Sequence, residues 1–330
     1  MVCNSGTSSA GADGPDGPAA RAGGRVLSIR WDAAPNILSF DLEDWSYLVM
    51  RMFGERPVAH PDEVKRQTGR ILELLSAHGV RATFFVLGQT ATSVPDLVRS
   101  IAGEGHEVAS HGYDHAPIGA AGMDGFAEDL RRAKEELESM VGQAVIGYRA
   151  PAFSVPADRQ QAFFDVLGRA GIRYDSSVVP VRLPRYGVGD FGLGPRSVRT
   201  SSGGEVLEFP LSLVRWAGRP WVVAGGGYWR LFPACVIRRA VRAVRADGRP
   251  LVTYLHNYEF DARALRVSRL PRRSWAIRRW ELRSNLFRRS VPGKLAKVLR
   301  EFPFAPFRDV LGRCRDACGP AAAPDRSRDA

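Results

Sequence analysis

Apolar runs alternate with amphipathic segments along most of the chain. Residues 36–40, 80–88 and 251–255 are short apolar runs typical of buried strands, whereas residues 64–78 and 125–142 repeat apolar side chains at helical intervals. Strands that alternate with helices in this way form parallel sheets. About seven such units predict an α/β fold in which the parallel strands curl into a distorted (β/α) barrel.

The two ends of the chain differ in composition from this body. Residues 1–33 are rich in Gly, Ala and Pro, and residues 317–330 are low in complexity and charged, so both are predicted to be disordered tails. We expect the body to consist of a core over residues 34–195 and a C-terminal module over residues 196–316 that completes the barrel and carries His256.

Composition narrows the partners and the compartment. The chain has 47 Lys+Arg against 35 Asp+Glu, a formal net charge of +12, which favours anionic partners such as nucleic acid, a phosphorylated ligand or an anionic membrane surface. Charge alone does not choose among them. Four scattered cysteines, no signal-peptide pattern and no run of roughly twenty apolar residues lead us to expect a cytoplasmic protein.

Three carboxylates follow the first strand. Asp41, Glu43 and Asp44 lie in "SFDLEDW", residues 39–45, directly after an apolar approach. Like charges this close repel one another and resist burial, so the cluster indicates a solvated loop, a metal site or a catalytic site. In a barrel of parallel strands the chemistry lies at the carboxyl ends of the strands, where these acids are predicted to be.

Two histidines follow a later strand. His111 and His115 are four residues apart in "ASHGYDH", and one helical turn between them would turn both imidazoles the same way. Such a pair can bind one divalent metal, and a carboxylate from the first strand end would complete the ligand set. The alternative is a pair of solvated or capping histidines.

Three further strand ends carry polar residues. Arg149 in "GYRAPAFS" is predicted to grip a carboxylate, although a surface arginine fits the same pattern. Asp175 in "YDSSVVP" suits a turn or helix cap as well as a functional role. His256 in "LVTYLHNYEFD" ends a strand, and a lone histidine there is more often structural.

In their order along the chain, these segments resemble the polysaccharide deacetylases (NodB homology, carbohydrate esterase family 4). "SFDLEDW", "SHGYDH", "YRAPAF" and "YLH" resemble the family's first, histidine, Arg-x-Pro and last motifs. "GGGYWRLFP" (225–233) and "FPFAPFRDVL" (302–311) resemble the branch encoded with exosortase (PEP-CTERM type) exopolysaccharide systems, in which a C-terminal module follows the core. The resemblance implies a NodB-like barrel and hydrolysis of N-acetyl groups.

The resemblance also implies roles for the candidate residues. His111, His115 and either Glu43 or Asp44 would hold a divalent metal, Zn²⁺ or alternatively Co²⁺, Ni²⁺ or Mn²⁺. The general base would be Asp41, positioned by Arg149 and faced by His256 as general acid. The family's first motif has two adjacent aspartates, which this chain lacks; we favour Glu43 as the ligand because it lies on the same side of an extended strand as Asp41.

The substrate groove is predicted from aromatic and polar residues. Pro151 and Phe153 would line it, together with Asp175. Tyr228 and Trp229 offer flat faces to a sugar ring, although a glycine-rich turn that packs its aromatics inward is as consistent with the sequence.

The predicted function is removal of N-acetyl groups from a hexosamine polysaccharide or its lipid-linked precursor, in exopolysaccharide biosynthesis. One alternative is a cyclic-amide hydrolase or glycan-binding protein of the same fold. Another is a basic protein that binds a membrane surface or, with less support, nucleic acid through residues 272–300, where Trp275, Trp280 and Phe287 interrupt the arginines. A solvated helix face is the simpler interpretation of that segment. If it does bind an anionic inner-membrane face, the residues responsible are predicted to be Arg278, Arg279, Arg288 and Arg289.

Overall fold

The computed structural model describes residues 31–52, 59–182, 187–266 and 275–318. Its strands are β1 (Asn36–Ile37), β2 (Ser39–Leu42), β3 (Thr83–Val86), β4 (Glu107–Ser110), β5 (Gly147–Tyr148), β6 (Tyr174–Asp175), β7 (Arg196–Arg199), β8 (Glu205–Glu208), β9 (Leu213–Trp216), β10 (Arg219–Val222), β11 (Leu255–His256) and β12 (Phe304–Ala305). Its α-helices are α1 (Trp45–Met52), α2 (Pro61–Ala77), α3 (Gly88–Ser93), α4 (Pro95–Gly103), α5 (Gly122–Val141), α6 (Gln160–Arg169), α7 (Gly227–Leu231), α8 (Ala234–Ala246), α9 (Trp275–Asn285), α10 (Val291–Leu299) and α11 (Phe307–Cys318).

The helices begin and end where local chemistry favours it. Pro61 occupies the first turn of α2 with two acidic residues behind it, and this arrangement suits the free amides of a helix start. Helix α5 ends at Gly142, whose left-handed backbone (φ 65°) closes the last turn at no steric cost. Both helices lie within three residues of their predicted bounds.

One sheet of eight strands organises the molecule, in the order β11-β2-β3-β4-β5-β6-β8-β7. Every neighbouring pair is parallel except β7 and β8, so seven strands run in the same direction. Strands β2, β3 and β4 are buried on both faces, as parallel strands covered by helices must be. The predicted α/β fold with about seven parallel strands is confirmed.

The two parts of the predicted body share this sheet. β8 and β11 come from the C-terminal module, and β11 extends the sheet beside β2. The curl is completed by irregular hydrogen bonds: the Tyr254 amide donates to Ala224 O (2.9 Å), and the Val223 amide donates to Ser212 O (3.1 Å). The module is therefore a section of the barrel wall.

Alternation along the strands divides the core into an outer and an inner layer. Phe84 faces the helices that surround the sheet, whereas its neighbour Phe85 faces the barrel interior. Phe307, from the start of α11, fills the interior from below and stacks on Tyr174 with ring centroids 4.8 Å apart. The C-terminal segment thus forms the floor of the barrel.

The predicted tails are too long at both ends. Residues 31–33 form a 3-10 turn, and Trp31 is buried against Phe209 with ring centroids 5.7 Å apart. Helix α11 continues through Cys318, beyond the predicted limit of residue 316. A tryptophan buries enough apolar surface to hold a short polar segment against the body, which composition alone does not reveal. The remainder of both predicted tails lies outside the described residues.

Candidate active site

The carboxyl end of β2 supplies the acidic side of the site. Alternation along the extended chain places Ser39 and Asp41 on the interior side, and the chain carries Glu43 to the same region. In the ladder, Asp41 stands directly opposite His256 of β11. The Glu43 amide donates to Asn257 Oδ1 (3.2 Å), which holds the turn after the strand. Residues far apart in the chain therefore meet through strand register.

Glu43, His111 and His115 can share one ion. Their donor atoms all lie within 4.8 Å of one another, and all three side chains are buried. Within the described ranges no other His, Cys, Asp or Glu group forms such a cluster. His111 Nδ1 lies 2.8 Å from Arg149 O, so a proton on Nδ1 leaves Nε2 free as a ligand atom. His115 Nε2 is 3.1 Å from Glu43 Oε2.

The spacing of His111 and His115 predicted a helical turn between them, but the chain forms none. The chain instead bends at residues 113 and 114, and His115 adopts the left-handed backbone region at φ 61°. The two rings lie 5.4 Å apart and nearly perpendicular. Gly112 supplies a second positive φ in this turn and lies close to Asp129 and Pro151. The chain reverses tightly here, which brings both imidazoles to the same side without helical spacing.

The surroundings of Glu43 and His111 shift their pKa values in the directions that favour binding of a cation. Burial alone would raise the pKa of Glu43, but the charge of and hydrogen bond from His115, with the charges of His256 and His111, lower it to about 2. Burial is the main reason why the pKa of His111 falls to about 4. Glu43 is therefore ionised and His111 neutral near pH 7, the protonation states that metal ligands require.

Asp44 lies outside this cluster. Its carboxylate accepts hydrogen bonds from the Ser46 amide (3.0 Å) and the His60 amide, and Oδ1 lies 3.6 Å from His60 Nδ1. It therefore stabilises the first turn of α1 and the approach to α2. This placement favours Glu43 over Asp44 as the carboxylate of the cluster.

Arg149 is fully buried and holds Asp41. Its NH1 group donates to Asp41 Oδ1 (2.7 Å) and to Ser39 Oγ (2.9 Å), while Nε donates to Ser176 O (3.0 Å). The guanidinium also lies 4.1 Å from the centre of the Phe85 ring. A surface arginine is thus excluded, and the grip on the carboxylate uses one nitrogen instead of the predicted two.

His256 faces the same carboxylates from the opposite side. Its Nε2 lies 4.0 Å from Asp41 Oδ2 and 3.8 Å from Glu43 Oε1. Burial would lower its pKa, but the side chain and charge of Glu259 and the charges of Glu43 and Asp41 raise it to about 9. An imidazolium at this position can donate a proton.

Asp175 is a correction to the predicted groove. It is fully buried in β6, where its carboxylate accepts hydrogen bonds from Ser177 Oγ (2.6 Å) and the Ser177 amide (3.2 Å). It stands opposite Glu208 of β8 in the ladder. Its hydrogen bonds are to Ser177 in the following turn and to Glu208 across the sheet, so the turn role that the sequence also allowed is the one observed.

The aromatic residues of the predicted groove divide in two. Phe153 packs edge-on against Tyr254 (4.9 Å), beside the strand that leads to His256, and Pro151 is buried next to Gly112. Tyr228 is half-buried. Trp229 is fully buried, and its Nε1 donates to Val223 O (2.9 Å), so it is a core residue and cannot stack on a sugar.

The basic C-terminal segment is also corrected at two positions. Trp280 stacks on Trp45 with ring centroids 6.0 Å apart, and Arg288 is buried and donates to Tyr258 O and Arg263 O. Neither side chain is free to contact a membrane. Residues 272–274 of the segment lie outside the described residues.

Several residues of the site were not singled out from the sequence. Ser39, Ser176, Asn257 and Glu259 each contact a predicted site residue, yet serine and asparagine have no sequence signal that separates these roles from ordinary turns. Glu259 could have been found from its position three residues after His256, a spacing that lets the two side chains meet on a helical turn.

Comparison with known families agrees with this geometry. Residues 51–174 match the polysaccharide deacetylase family model, which includes both histidines of the pair and Arg149. This segment is therefore similar to polysaccharide deacetylase domains. Residues 176–312 match a domain of unknown function, DUF3473, which contains His256. The site is thus divided between the deacetylase domain, the preceding strand β2 and the domain of unknown function.

Curated relatives match part of the chain. Peptidoglycan-N-acetylglucosamine deacetylase of Bacillus cereus is 36% identical over 84 residues, which cover 26% of the chain and 30% of that protein. Chitooligosaccharide deacetylase of Rhizobium leguminosarum bv. trifolii is 39% identical over 79 residues, which cover 24% and 37%. The chain thus spans about a third of the length of these curated relatives.

Solved structures match nearly the whole chain. A candidate polysaccharide deacetylase from Mycobacterium smegmatis superposes with a TM-score of 0.60 at 22% identity, covering 89% of this chain and 96% of its own. Puue allantoinase superposes with a TM-score of 0.56 at 15% identity, covering 86% and 91%. At these identities the likeness shows a common fold.

Proposed function

We propose that this protein is a metal-dependent N-deacetylase that acts on an N-acetylated hexosamine of a polysaccharide or of its lipid-linked precursor. The observation that carries the proposal is the cluster of Glu43, His111 and His115 between two proton-transfer groups, Asp41 and His256. Relatives named for deacetylation of peptidoglycan and chitooligosaccharides support the substrate class.

The three ligand residues fit a divalent ion. Two imidazoles and one carboxylate are a common ligand set for catalytic Zn²⁺, and Co²⁺, Ni²⁺ or Mn²⁺ can occupy such a set. The spacing of the donor atoms is one that a single ion can bridge after small side-chain rotations. When bound, the ion would supply Lewis-acid activation of the attacking water and of the acetyl carbonyl.

The remaining chemistry belongs to the chain's own residues. Asp41, fixed by Arg149, takes a proton from the attacking water, and the hydroxyl oxygen forms a bond to the acetyl carbon. As the C–N bond breaks, its electron pair stays on nitrogen and His256 Nε2 donates a proton to it. One amide and one water are consumed, and acetate and a free amine are formed, so the atoms balance.

Acetate release from chitin oligomers tests the proposal. Purified protein should release acetate, lose this activity in a chelator and recover it when Zn²⁺ is restored. Cyclic amides should be offered beside the oligomers, because the fold is shared with an allantoinase. Hydrolysis of the cyclic amide without acetate release would replace the proposed substrate class. The proposal also includes a role for this activity in exopolysaccharide biosynthesis.

We further propose that the outer face of α9 contacts an anionic membrane. Trp275 (83% exposed) and Leu282 (70% exposed) lie two helical turns apart on one face, and Leu286 continues the line. Exposed Arg278, Arg279 and Arg283 lie between them, so apolar and cationic side chains alternate. We call these six residues the α9 ridge.

The inner face of α9 packs against Trp45, which lies close in the chain to Glu43 of the candidate site. Ile277 packs with Trp45, Val49 and Leu265, and Trp45 follows Glu43 by two residues. A bilayer on the ridge would therefore lie close to the site, as a lipid-linked substrate requires. Aliphatic Leu282 and Leu286 suit acyl chains, whereas single-stranded nucleic acid is bound mainly by aromatic faces.

Vesicle co-sedimentation tests this contact. Three basic residues near an anionic leaflet contribute about 1 kcal/mol each, so replacing Arg278, Arg279 and Arg283 by Gln should weaken binding to phosphatidylglycerol vesicles on the order of 100-fold at low salt. The matched control replaces Arg99, Arg131 and Arg159, which are exposed elsewhere. If wild-type protein ignores these vesicles, or shifts DNA instead, the membrane contact is refuted. No helix within the described ranges is long and apolar enough to cross a bilayer. The cytoplasmic location stays a prediction.

A further inference from the structure

Glu259 lies directly behind His256, on the side away from the metal-binding cluster. Its Oε2 accepts a hydrogen bond from the His256 amide (3.1 Å) and is 3.7 Å from His256 Nδ1. The other ring nitrogen, Nε2, faces Asp41 and Glu43. One edge of the imidazole therefore points into the site and the other points at a carboxylate that is only 1% exposed.

Arg230 holds this carboxylate in turn. Its Nε lies 3.5 Å from Glu259 Oε1, and its NH1 group donates to Ser284 O at the end of α9. Lys294 of α10 donates to the Arg230 carbonyl (2.8 Å). The arginine is thus fixed by two helices of the C-terminal region, and it places a positive charge beside a buried negative one.

We propose that Glu259, held by Arg230, is a positioning residue that fixes the ring of His256 for proton donation to the leaving amine. At 3.7 Å the carboxylate pairs with Nδ1 by charge and not by a hydrogen bond, and a negative charge on this side of the ring favours a proton on Nδ1 and restrains the ring's orientation. Tyr258 stacks on the same ring with centroids 4.8 Å apart, which limits its tilt. The inference deepens the proposed deacetylase function and rests on it.

This arrangement gives the domain of unknown function a defined task. Arg230 lies in "GGGYWRLFP", and Glu259 in the segment that follows β11, both within residues 176–312. Asp175 lies in β6, which is not adjacent to β11 in the sheet, and its carboxylate accepts hydrogen bonds from Ser177. The module therefore supplies the proton donor together with its support, whereas the deacetylase domain and β2 supply the metal ligands and the base.

The test compares two leaving groups in the full-length metal-loaded protein. Amine departure from a chitin oligomer needs a proton, whereas nitrophenolate departs from 4-nitrophenyl acetate without one. Positioned general acids contribute about 10²–10⁴-fold, so Glu259→Gln should lower kcat on the oligomer by about 100-fold with KM unchanged. Ester hydrolysis should fall less than about threefold. Arg230→Gln should show a smaller loss with the same selectivity, and Arg230→Lys should recover part of it.

Controls separate this role from folding and from metal binding. Glu301→Gln removes a carboxylate paired with Arg238 and Arg242 in the same module, far along the chain from the site, and should leave both substrates unaffected. Zn²⁺ content and circular dichroism should match wild type in every variant. Equal losses on both substrates, or no loss in Glu259→Gln, would overturn the inference. A wild-type protein that cleaves the ester but never the oligomer would instead refute the deacetylase proposal.

Discussion

The N-terminal region (residues 36–176) and the C-terminal region (residues 196–311) build their parts of the site differently. In the first, Asp41 lies near the end of β2, whereas Glu43, His111 and Arg149 each directly follow a strand. These side chains meet through the parallel register of the sheet. In the second, His256 faces the cluster with Glu259 behind it. Glu259 pairs with Arg230 of α7, which in turn contacts α9 and α10. Strand register can be predicted from short motifs, whereas support from several helices cannot.

The largest effect on activity is expected from substitutions of the metal-binding histidines in the N-terminal region. His111→Ala or His115→Ala should abolish deacetylation and lower ion affinity by at least about 100-fold, because a direct ligand matters more than an outer partner. The fold should remain, as judged by circular dichroism. His78→Ala is the control, since the ring of that histidine is hydrogen-bonded to Leu74 O of the adjoining helix α2. Full ion occupancy in either variant, by elemental analysis, would refute the cluster.

The next pair sharpens the assignment of the carboxylate. Glu43→Ala should lose the ion, whereas Asp44→Ala should keep it and lose about 1–3 kcal/mol of unfolding free energy, because two amides lose their acceptor. Elemental analysis and urea unfolding measure the two effects. The opposite pattern, with the ion lost only from Asp44→Ala, would show that Asp44 and not Glu43 is the carboxylate ligand.

A third substitution examines the C-terminal region. Trp229→Leu should lower the unfolding free energy by about 2–4 kcal/mol, since the ring is fully buried in the core. KM for chitin oligomers should stay within twofold of wild type. If KM rises strongly while stability is unchanged, Trp229 binds sugar and the two regions resemble each other more than the structure indicates.

The smallest effect concerns the seam between the two regions, where β6 meets β8. Burial and the charge of Asp175 raise the pKa of Glu208 well above its ordinary value, so the folded state retains a proton that the unfolded state releases. This proton stabilises the folded state fully below the pKa that Glu208 has in the unfolded chain, about 4.3. The stabilisation is lost as pH rises toward the pKa of Glu208 in the folded state. The loss is about 1.4 kcal/mol for each pH unit that separates the two pKa values.

Glu208→Gln removes this dependence. The variant and wild type should be equally stable near the lower limit, and the variant should become the more stable as pH increases, measured by urea unfolding across a pH series. Glu205→Gln, at an exposed position of the same strand, should follow wild type throughout. Parallel curves for Glu208→Gln and wild type would mean that the seam does not titrate.

The sequence predicted strand ends better than side-chain directions. The parallel fold and the strand-end positions of Asp41, His111, Arg149 and His256 follow from apolar runs and motif order. Trp229 was predicted to bind sugar, and Trp280 belonged to the alternative in which residues 272–300 bind a membrane or nucleic acid. Both pack inward, because an aromatic beside a turn or on a basic helix fits either direction. Composition likewise could not show that Trp31 anchors a polar segment or that Arg288 is buried.

The pairing of β1 with β12 has a consequence for biogenesis. Asn36 Nδ2 donates to Pro303 O, 267 positions away, and Ile37 stands opposite Ala305. During synthesis, the strand that precedes the acidic cluster cannot find this partner until residues near 305 have left the ribosome. Such long-range pairing slows folding and leaves strand edges open to aggregation in the meantime. The amount of folded protein that a cell obtains would then depend on how fast a chaperone binds the incomplete chain, and less on the stability of the final fold.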